Sequence, residues 1–264
     1  LIQSVTSTGD IHFVNRAWLD TLGYDSPEVV GTSIFNFIHP DALDHCQREF
    51  MKIVQGEDVG LVEMAFISKS GKKIECEGNV SASTEGEQVI TRAVFRNITE
   101  KRLREKANTA LYNIARHSGQ EDSILNMCKV VHREVDRIFT TENFYIAEQL
   151  FPGTITFQYV DDKYFDEQET PHNRASGNGL SEYLIKTERS LLLNGEDLVK
   201  FHVDNGINLY GEYAQSWMGV PMWQDGKVYG IIACQSYETP GLFSKAHLNV
   251  LEQIGHKLGF WLNQ

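Results

Sequence analysis

The sequence contains no apolar run that approaches the roughly 20 residues needed for a membrane-spanning helix. No charged leader precedes an apolar core, so we expect no signal peptide. The chain begins at Leu1 rather than at a methionine, and we expect it to be part of a longer protein. These features predict a soluble, cytoplasmic segment that does not contact a membrane.

Cysteine is also scarce, with four in 264 residues and no CxxC pair. Structural zinc sites and thioredoxin-like chemistry both require closely spaced cysteines, so we expect neither. We expect free thiols in a reducing compartment at Cys46, Cys76, Cys128 and Cys234. The patterns GxxxxGK[ST], GxSxG and HExxH are missing as well, and we therefore expect this segment not to be an enzyme.

Basic residues are fewer than acidic ones. The chain has 24 Lys and Arg and 36 Asp and Glu, which gives a net charge of -12. Sequence-independent nucleic-acid binding and polybasic membrane binding both need many basic residues, so we exclude both kinds of partner. The charge is uneven along the chain. Residues 99–117 hold five Lys and Arg against two Glu, whereas residues 1–98 hold eight against 14 acids and residues 118–264 hold 11 against 20.

Short strand patterns separated by glycine turns occur in both halves of the chain. In the first hundred residues they lie at both ends with short helices between them, which predicts an antiparallel sheet with helices on one face. The second half shows a helix, antiparallel strands, a polar loop at 161–178 and a final helix. The predicted fold class is α+β, with two domains at 1–98 and 118–264 joined by a helix at 99–117.

The basic segment 99–117 contains no turn residue and predicts one continuous helix. Its apolar positions are spaced four, three and four residues apart, at Leu103, Ala107, Ala110 and Ile114. That spacing is typical of the seam of a coiled coil, so we expect a parallel dimer helix. The alternative is a solvated helix that packs on its own domain.

Five separated motifs in the first domain occur in the order in which PAS domains carry them. They are Gly9–Trp18 (GDIHFVNRAW), Leu22–Gly31 (LGYDSPEVVG), Ile38–Asp41 (IHPD), Ser70–Lys72 (SGK) and Arg96–Glu100 (RNITE). Residues 1 to about 100 therefore resemble a PAS domain. The turn and cap residues agree with this resemblance, because Gly23 is suited to end a helix and Pro40 to begin one.

Residues 118–264 look similar to a GAF domain. The segments that carry the likeness are Glu142–Ala147 (ENFYIA), Gly177–Tyr183 (GNGLSEY), Ser216–Met222 (SWMGVPM) and Val228–Tyr237 (VYGIIACQSY). The subtype resembles the GAF domains of bacterial sensor kinases and cyclic-dinucleotide enzymes. A PAS domain followed by a GAF domain implies a sensory or signal-relay region.

The resemblance implies the input region of a bacterial two-component sensor histidine kinase that acts as a homodimer. Its helices would pass the state of a small-molecule ligand to an output domain elsewhere in the same protein. The alternatives are the input region of a cyclic-dinucleotide cyclase or phosphodiesterase, and a haem- or flavin-binding PAS sensor. No phosphoacceptor motif occurs here, because no acidic residue directly follows His117.

Cofactor chemistry has few candidate residues. His45 is the one candidate haem ligand, yet Cys46 rather than His45 falls on the apolar stripe of its helix. The stretch 31–37 lacks the cysteine of flavin-adduct photoreceptors. Cys128 and Cys234 lie in apolar segments, unlike the exposed cysteine that bilin attachment requires. The Asn-Lys pair of cyclic-nucleotide GAF domains is missing too.

A ligand could still occupy a cavity between each sheet and its helices. The candidate walls are large apolar side chains, each of which also fits a plain core position. They are Phe13, Trp18, Phe50, Met64 and Phe66 in the first domain, and Phe144, Tyr159, Trp217 and Met218 in the second.

Overall fold

The computed structural model describes residues 1–86, 88–118, 123–165 and 172–261. The chain forms two compact units, Leu1–Arg102 and Leu103–Gln264. The division therefore falls inside the helix predicted at 99–117, and most of that helix belongs to the second unit. The fold class is α+β, as predicted, with one antiparallel sheet flanked by helices in each unit.

The first unit is a five-stranded antiparallel sheet with helices between its second and third strands. The elements are β1 (Ile2–Thr6), β2 (Ile11–Val14), α1 (Arg16–Leu22), α2 (Ser26–Val29), a 3₁₀ turn (Ile34–Phe37), α3 (Pro40–Val54), β3 (Leu61–Ile67), β4 (Lys73–Glu85) and β5 (Gln88–Asn97). The strand order is β2-β1-β5-β4-β3. The first hairpin thus pairs with the last strand, which places both ends of the unit in the centre of the sheet.

The short helices of this unit begin and end at residues suited to those positions. The side chain of Asn15 accepts a hydrogen bond from the Trp18 backbone N–H and caps α1. Gly23 ends α1 with φ of 77°, a left-handed conformation that glycine adopts without strain. These caps orient Trp18 into the core, where its indole Nε1 donates to Gln3 Oε1 at 2.9 Å.

The second unit is a six-stranded antiparallel sheet with helices on both faces. The elements are α4 (Thr99–His117, of which residues from Leu103 belong to this unit), α5 (Ile124–Asp136), β6 (Asn143–Phe151), β7 (Thr154–Asp161), β8 (His172–Ala175), α6 (Leu180–Thr187), β9 (Leu191–Asn194), α7 (Glu196–Asn205), β10 (Ser216–Gln224), β11 (Lys227–Ser236) and α8 (Lys245–Trp261). The strand order is β8-β7-β6-β11-β10-β9.

The sheet of the second unit separates two apolar cores. Alternate residues of β6 show this division, because Phe144 and Ile146 pack with α4, α5 and α8. Ala147 lies on the opposite face, among side chains of α6 and α7 such as Leu184 and Leu198. Every second side chain of a strand points to the same face, so one strand contributes to both cores.

The predicted dimer seam on α4 is wrong in its location. Ala107, Ala110 and Ile114 are almost fully buried in the core of the second unit itself, with Leu103 packed against that core. In addition, Asn113 Nδ2 donates to Glu134 Oε2 at 2.9 Å and ties α4 to α5. A stripe that its own domain covers cannot also contact a second copy, so the alternative interpretation of this helix is the correct one.

Two further details differ from the sequence predictions. The predicted loop at 161–178 contains the short edge strand β8, and residues 166–171 of that loop lie outside the described residues. The first helix predicted in the second half begins at Ile124, capped by Ser123, and residues 121 and 122 are likewise outside the described part. No helix in the described ranges is both long and apolar enough to cross a membrane.

Candidate ligand-binding site

A cavity of about 470 Å³ lies in the second unit, on the face of the sheet that carries α6 and α7. Its floor consists of side chains from five strands, including Tyr145 of β6, Phe157 of β7 and Trp217 of β10. Residues 179–182 at the start of α6, Leu198 and His202 of α7, and the segment 208–212 cover it. A site for a drug-sized ligand has about 300–1,000 Å³, and this cavity falls within that range.

Aromatic rings form much of the wall. Tyr145 and Phe157 contact each other with ring centroids 5.7 Å apart, and His172 stacks on Phe157 at 4.7 Å. At the other end Tyr164 and Tyr237 meet edge to face at 4.8 Å. Rings in these arrangements offer flat, polarisable surfaces against which a planar molecule can pack.

A hydrogen-bonded group around Asp162 lies at the Tyr237 end of the cavity. Asp162 Oδ2 accepts from Gln235 Nε2 at 2.6 Å and from the Tyr237 hydroxyl at 2.8 Å. The other oxygen, Oδ1, accepts from the Tyr164 backbone N–H at 2.9 Å. Burial, and then the hydrogen bond to Asp162, raise the pKa of Tyr237, so its hydroxyl keeps its proton and donates to the carboxylate.

A second polar group lies where β8 meets α6. Glu182 Oε1 accepts from Arg174 Nη1 at 2.8 Å and from the Gly177 backbone N–H at 2.9 Å, and Oε2 accepts from the Gly179 N–H. Partial burial opposes ionisation of Glu182. Arg174 and the backbone donors outweigh it and hold the pKa of this carboxyl below its ordinary value.

Tyr210 covers this second group from the loop after α7. The guanidinium of Arg174 lies 4.1 Å from the centroid of the Tyr210 ring, a cation–π contact. The ring also lies against Gly177 and Gly179, because a Cβ at either position would collide with Tyr210. A side chain at either glycine would therefore displace the Tyr210 ring from Arg174.

Tyr145 supplies a further hydroxyl to the lining. Its oxygen lies 3.3 Å from Ser181 Oγ, which connects β6 to α6 across the cavity. Burial raises the pKa of Tyr145 to about 12. The hydroxyl therefore stays protonated at every physiological pH.

Two family models match the chain. The PAS domain model matches residues 1–100, and the GAF domain model matches residues 128–263, just over half of the chain. The chain belongs to the GAF family, with a PAS domain before it. This pairing is that of a sensory module in signalling proteins, and it confirms the resemblances seen in the sequence. Comparison with curated proteins finds no match.

Several solved structures are similar in fold to the PAS–GAF chain. The chromophore-binding domain of Stigmatella aurantiaca bacteriophytochrome is 11% identical with a TM-score of 0.48, covering 99% of this chain and 93% of that one. That of an unusual bacteriophytochrome from R. palustris is 13% identical with a TM-score of 0.46, covering 99% and 92%. The GAF domain from Acinetobacter phosphoenolpyruvate-protein phosphotransferase is 16% identical with a TM-score of 0.49, covering 59% and 91%.

The PAS domain contains a much smaller cavity of about 50 Å³, which is mainly apolar. Phe50 and Met64 line it beside Cys46. Burial raises the pKa of the Cys46 thiol to about 11, so this cysteine is unreactive. His45 lies on the exposed face of α3 and does not line the cavity, so it is not placed to hold a haem iron there.

Most of the other predicted wall residues are packed core. Trp18, Phe66, Phe144 and Met218 are fully buried outside the lining of both cavities, and so is Tyr159. In the GAF domain Trp217 lines the cavity, and its contact with a ligand stays a prediction. All four cysteines are buried and free, and burial raises the pKa of Cys128 to about 12.

Phe13 and Tyr159 were predicted to line a cavity, and both lie outside the two linings for the same reason. The hairpin β1–β2 shifts register between Ser4 and Val5, which leaves Phe13 half-exposed on the outer face. A shift between β6 and β7 leaves Gln158 without a partner in the register and turns Tyr159 to the face of Ile146. A β-bulge inverts the facing of the residues beyond it, and nothing in simple alternation reveals it.

Sequence reasoning missed the polar residues of the GAF cavity. Gln235 and Tyr237 lie inside a segment used for the GAF resemblance, and Glu182 lies inside another, so that resemblance was the available signal. Asp162 and Arg174 belong to the stretch predicted as a loop, where nothing distinguished them from solvated charges.

Proposed function

We propose that the chain is the input region of a bacterial, cytoplasmic two-component sensor histidine kinase, and that a small molecule in the GAF cavity is its signal. The observation that supports this most directly is the cavity of about 470 Å³, with its aromatic walls and two anchored polar groups. The chain would be a sensor rather than an enzyme, would act as a homodimer, and would control an output domain of the same protein.

The strands of the GAF sheet offer a physical route from ligand to helix. Trp217 borders the cavity, and the next residue, Met218, packs in the core that contains Ala110 and Ile114 of α4. Interior packing is dense and transmits small displacements. A ligand that binds better to one position of β10 would therefore favour one position of α4 and α8.

Close packing between α8 and β10 supports the same route. A Cβ at Gly255 would lie 2.8 Å from the Pro221 carbonyl oxygen, so the helix backbone rests directly on the strand. A displacement of β10 would therefore also move α8, and in the proposed mechanism the output domain responds to the position of α8.

Ligand binding can be tested with a chemically diverse panel of small molecules and thermal unfolding of the purified chain. We expect at least one class to raise the melting temperature, and Ala214→Leu, which fills the cavity from its lining, to abolish the shift. The matched control is Ala17→Leu at an exposed position of α1 in the PAS domain. Binding that survives Ala214→Leu would place the ligand elsewhere.

The kinase assignment is tested with the full-length protein. ATP-dependent autophosphorylation on histidine that changes with a ligand from the panel would support it, and Ala214→Leu should remove the change. Cyclic-dinucleotide synthesis or hydrolysis by the full-length protein would instead support the alternative output.

Two quick measurements test the remaining parts of the proposal. An absorption band above 320 nm in the freshly purified protein would favour haem, flavin or bilin over a colourless ligand. The mass in solution tests the homodimer, whose contact surface cannot include the buried stripe of α4. A monomer at high concentration would count against the dimer.

A further inference from the structure

The chemistry of the cavity lining also indicates the class of ligand, an inference that rests on the proposed ligand-sensing function. Among the described lining residues, four carry charged side chains, namely Asp162, Arg174, Glu182 and Glu212. The one cation, Arg174, is already paired with Glu182 at 2.8 Å. The two remaining charges, on Asp162 and Glu212, are negative.

Two backbone N–H groups beside this lining are already occupied. The N–H groups of Gly177 and Gly179, just before α6, both donate to the Glu182 carboxylate. A helix start of this kind would otherwise attract an anionic group of a ligand. Here the chain's own carboxylate occupies that position, so a ligand carboxylate or phosphate would have to displace one member of a partly buried charged pair.

Two polar atoms of the lining are acceptors that no donor of the chain occupies. Gln235 turns its amide nitrogen to Asp162, because a carboxylate only accepts, and its carbonyl oxygen is therefore available for a donor. His202 Nδ1 lies 3.1 Å from the Ile207 carbonyl oxygen. That bond requires a proton on Nδ1, so in the neutral ring Nε2 is an acceptor.

We propose that the GAF cavity selects a planar aromatic molecule that carries a protonated amine, and that Asp162 and Gln235 receive the N–H donors. The rings of Tyr145, Phe157 and Trp217 pack against the planar part. The same lining disfavours cyclic nucleotides and other anions, because the cavity has an excess of negative charge and no free cation among its described lining residues.

The test compares probes that share a ring and differ in charge. Phenethylamine, phenethyl alcohol and 3-phenylpropionate form one series; tryptamine and indole-3-propionate form a second series with a larger ring. Dissociation constants are measured by calorimetry for the wild type and for Asp162→Asn, Glu212→Gln and Asp225→Asn. Asp225 lies in the exposed β10–β11 turn with φ of 50°, which asparagine tolerates, and provides a matched loss of charge away from the cavity.

We expect the amine to bind about tenfold more tightly than the acid of the same ring, the size of effect that one charge-assisted hydrogen bond gives. Asp162→Asn should remove most of that preference, Glu212→Gln part of it, and Asp225→Asn none. Glu212 is exposed, so its variant remains informative if Asp162→Asn fails to fold.

Equal or tighter binding of the acids would overturn the assigned class while leaving a ligand-binding GAF domain in place. Binding of no probe in either series would overturn it as well, and the diverse panel would then decide separately whether the cavity takes any ligand. An amine preference that persists in both Asp162→Asn and Glu212→Gln would show that these carboxylates do not select the ligand.

Discussion

The two faces of the GAF sheet are built from the same strands and yet differ in what they enclose. On one face, α4, α5 and α8 pack closely, and Ile146 and Met218 are fully buried beneath them. On the other face, the neighbouring residues Tyr145 and Trp217 border the cavity. The glycine contact of α8 shows how a helix closes a face, whereas α6 is fixed by polar contacts at its edge and leaves space below it.

This difference predicts where the domain tolerates change. A fully packed face provides stability, because a deleted side chain leaves a void that the surroundings fill poorly. On the cavity face such a void is already part of the native structure, and it leaves space for a ligand. The substitutions below set one face against the other.

The largest difference in the loss of stability is expected between substitutions of two adjacent residues of β6. Ile146→Ala should lower the free energy of unfolding by about 2–5 kcal/mol, because it opens a void in the packed core. Tyr145→Phe should cost about 1 kcal/mol, since it removes one hydroxyl contact to Ser181 and no ring volume. Urea unfolding, followed by circular dichroism, measures both. Similar losses would contradict a packed face opposite an open one.

The next largest loss of stability is expected for a substitution in α4. Ala110→Leu should destabilise the GAF domain by about 1–3 kcal/mol, because the added atoms have no space in the packed core. Ala115→Leu, exposed on the same helix, is the matched control and should change stability little. A dimer seam at Ala110 would give the reverse, with unchanged domain stability and an altered mass in solution.

Helix α4 shows why the sequence predicted the helices and strands better than it predicted what each of them packs against. Apolar spacing of four, three and four identifies a helix with one buried stripe, and it is identical whether the stripe meets a second copy or the helix's own domain. Alternation and glycine turns likewise identified the long strands. They could not identify β8, a short edge strand with the polar sequence HNRA.

The candidate site was less predictable than the fold for a related reason. Asp162 contacts Gln235 and Tyr237 across more than seventy residues of sequence. Arg174 and Glu182 are close in sequence, yet only the position of β8 beside α6 brings them together. Large apolar residues were natural candidates, and most of them fill the core, because burial and ligand contact favour the same side chains.

A smaller effect is expected at Glu182 on the cavity face. Glu182→Gln should cost about 2 kcal/mol at pH 7, because the Arg174 guanidinium and two backbone donors lose their charged acceptor. The folded-state pKa of Glu182 lies below its ordinary value of 4.5, so its contribution is present above that pH and is lost as the pH falls through the folded-state pKa.

The measurement is urea unfolding of wild type and Glu182→Gln between pH 3 and pH 7. The two curves should converge at low pH. Glu212→Gln, an exposed carboxyl of the same cavity, should stay close to the wild type throughout. If the difference in the free energy of unfolding between wild type and Glu182→Gln were the same at all pH values, the variant would have lost packing rather than charge.

The smallest change in the free energy of unfolding is expected for a substitution of Glu148 on the packed face. It is a gain of stability rather than a loss. The Glu148 carboxyl is almost fully buried, Oε2 accepts from Gln158 Nε2 at 2.8 Å, and burial raises its pKa above 4.5. The folded state therefore binds the Glu148 proton more tightly than the unfolded state. Its contribution to stability is present at low pH and is lost as the pH rises from 4.5 through the raised folded-state pKa.

Glu148→Gln keeps the shape and cannot ionise, so it should raise the free energy of unfolding by about 1 kcal/mol at pH 8 and change it little at pH 4. Urea unfolding at both pH values measures this, with the exposed Glu57→Gln in the PAS domain as control. A loss of stability at pH 8 would mean that the ionised carboxylate is satisfied by its surroundings. In that case the packed face would tolerate charge as the cavity face does, and the two faces would differ in volume alone.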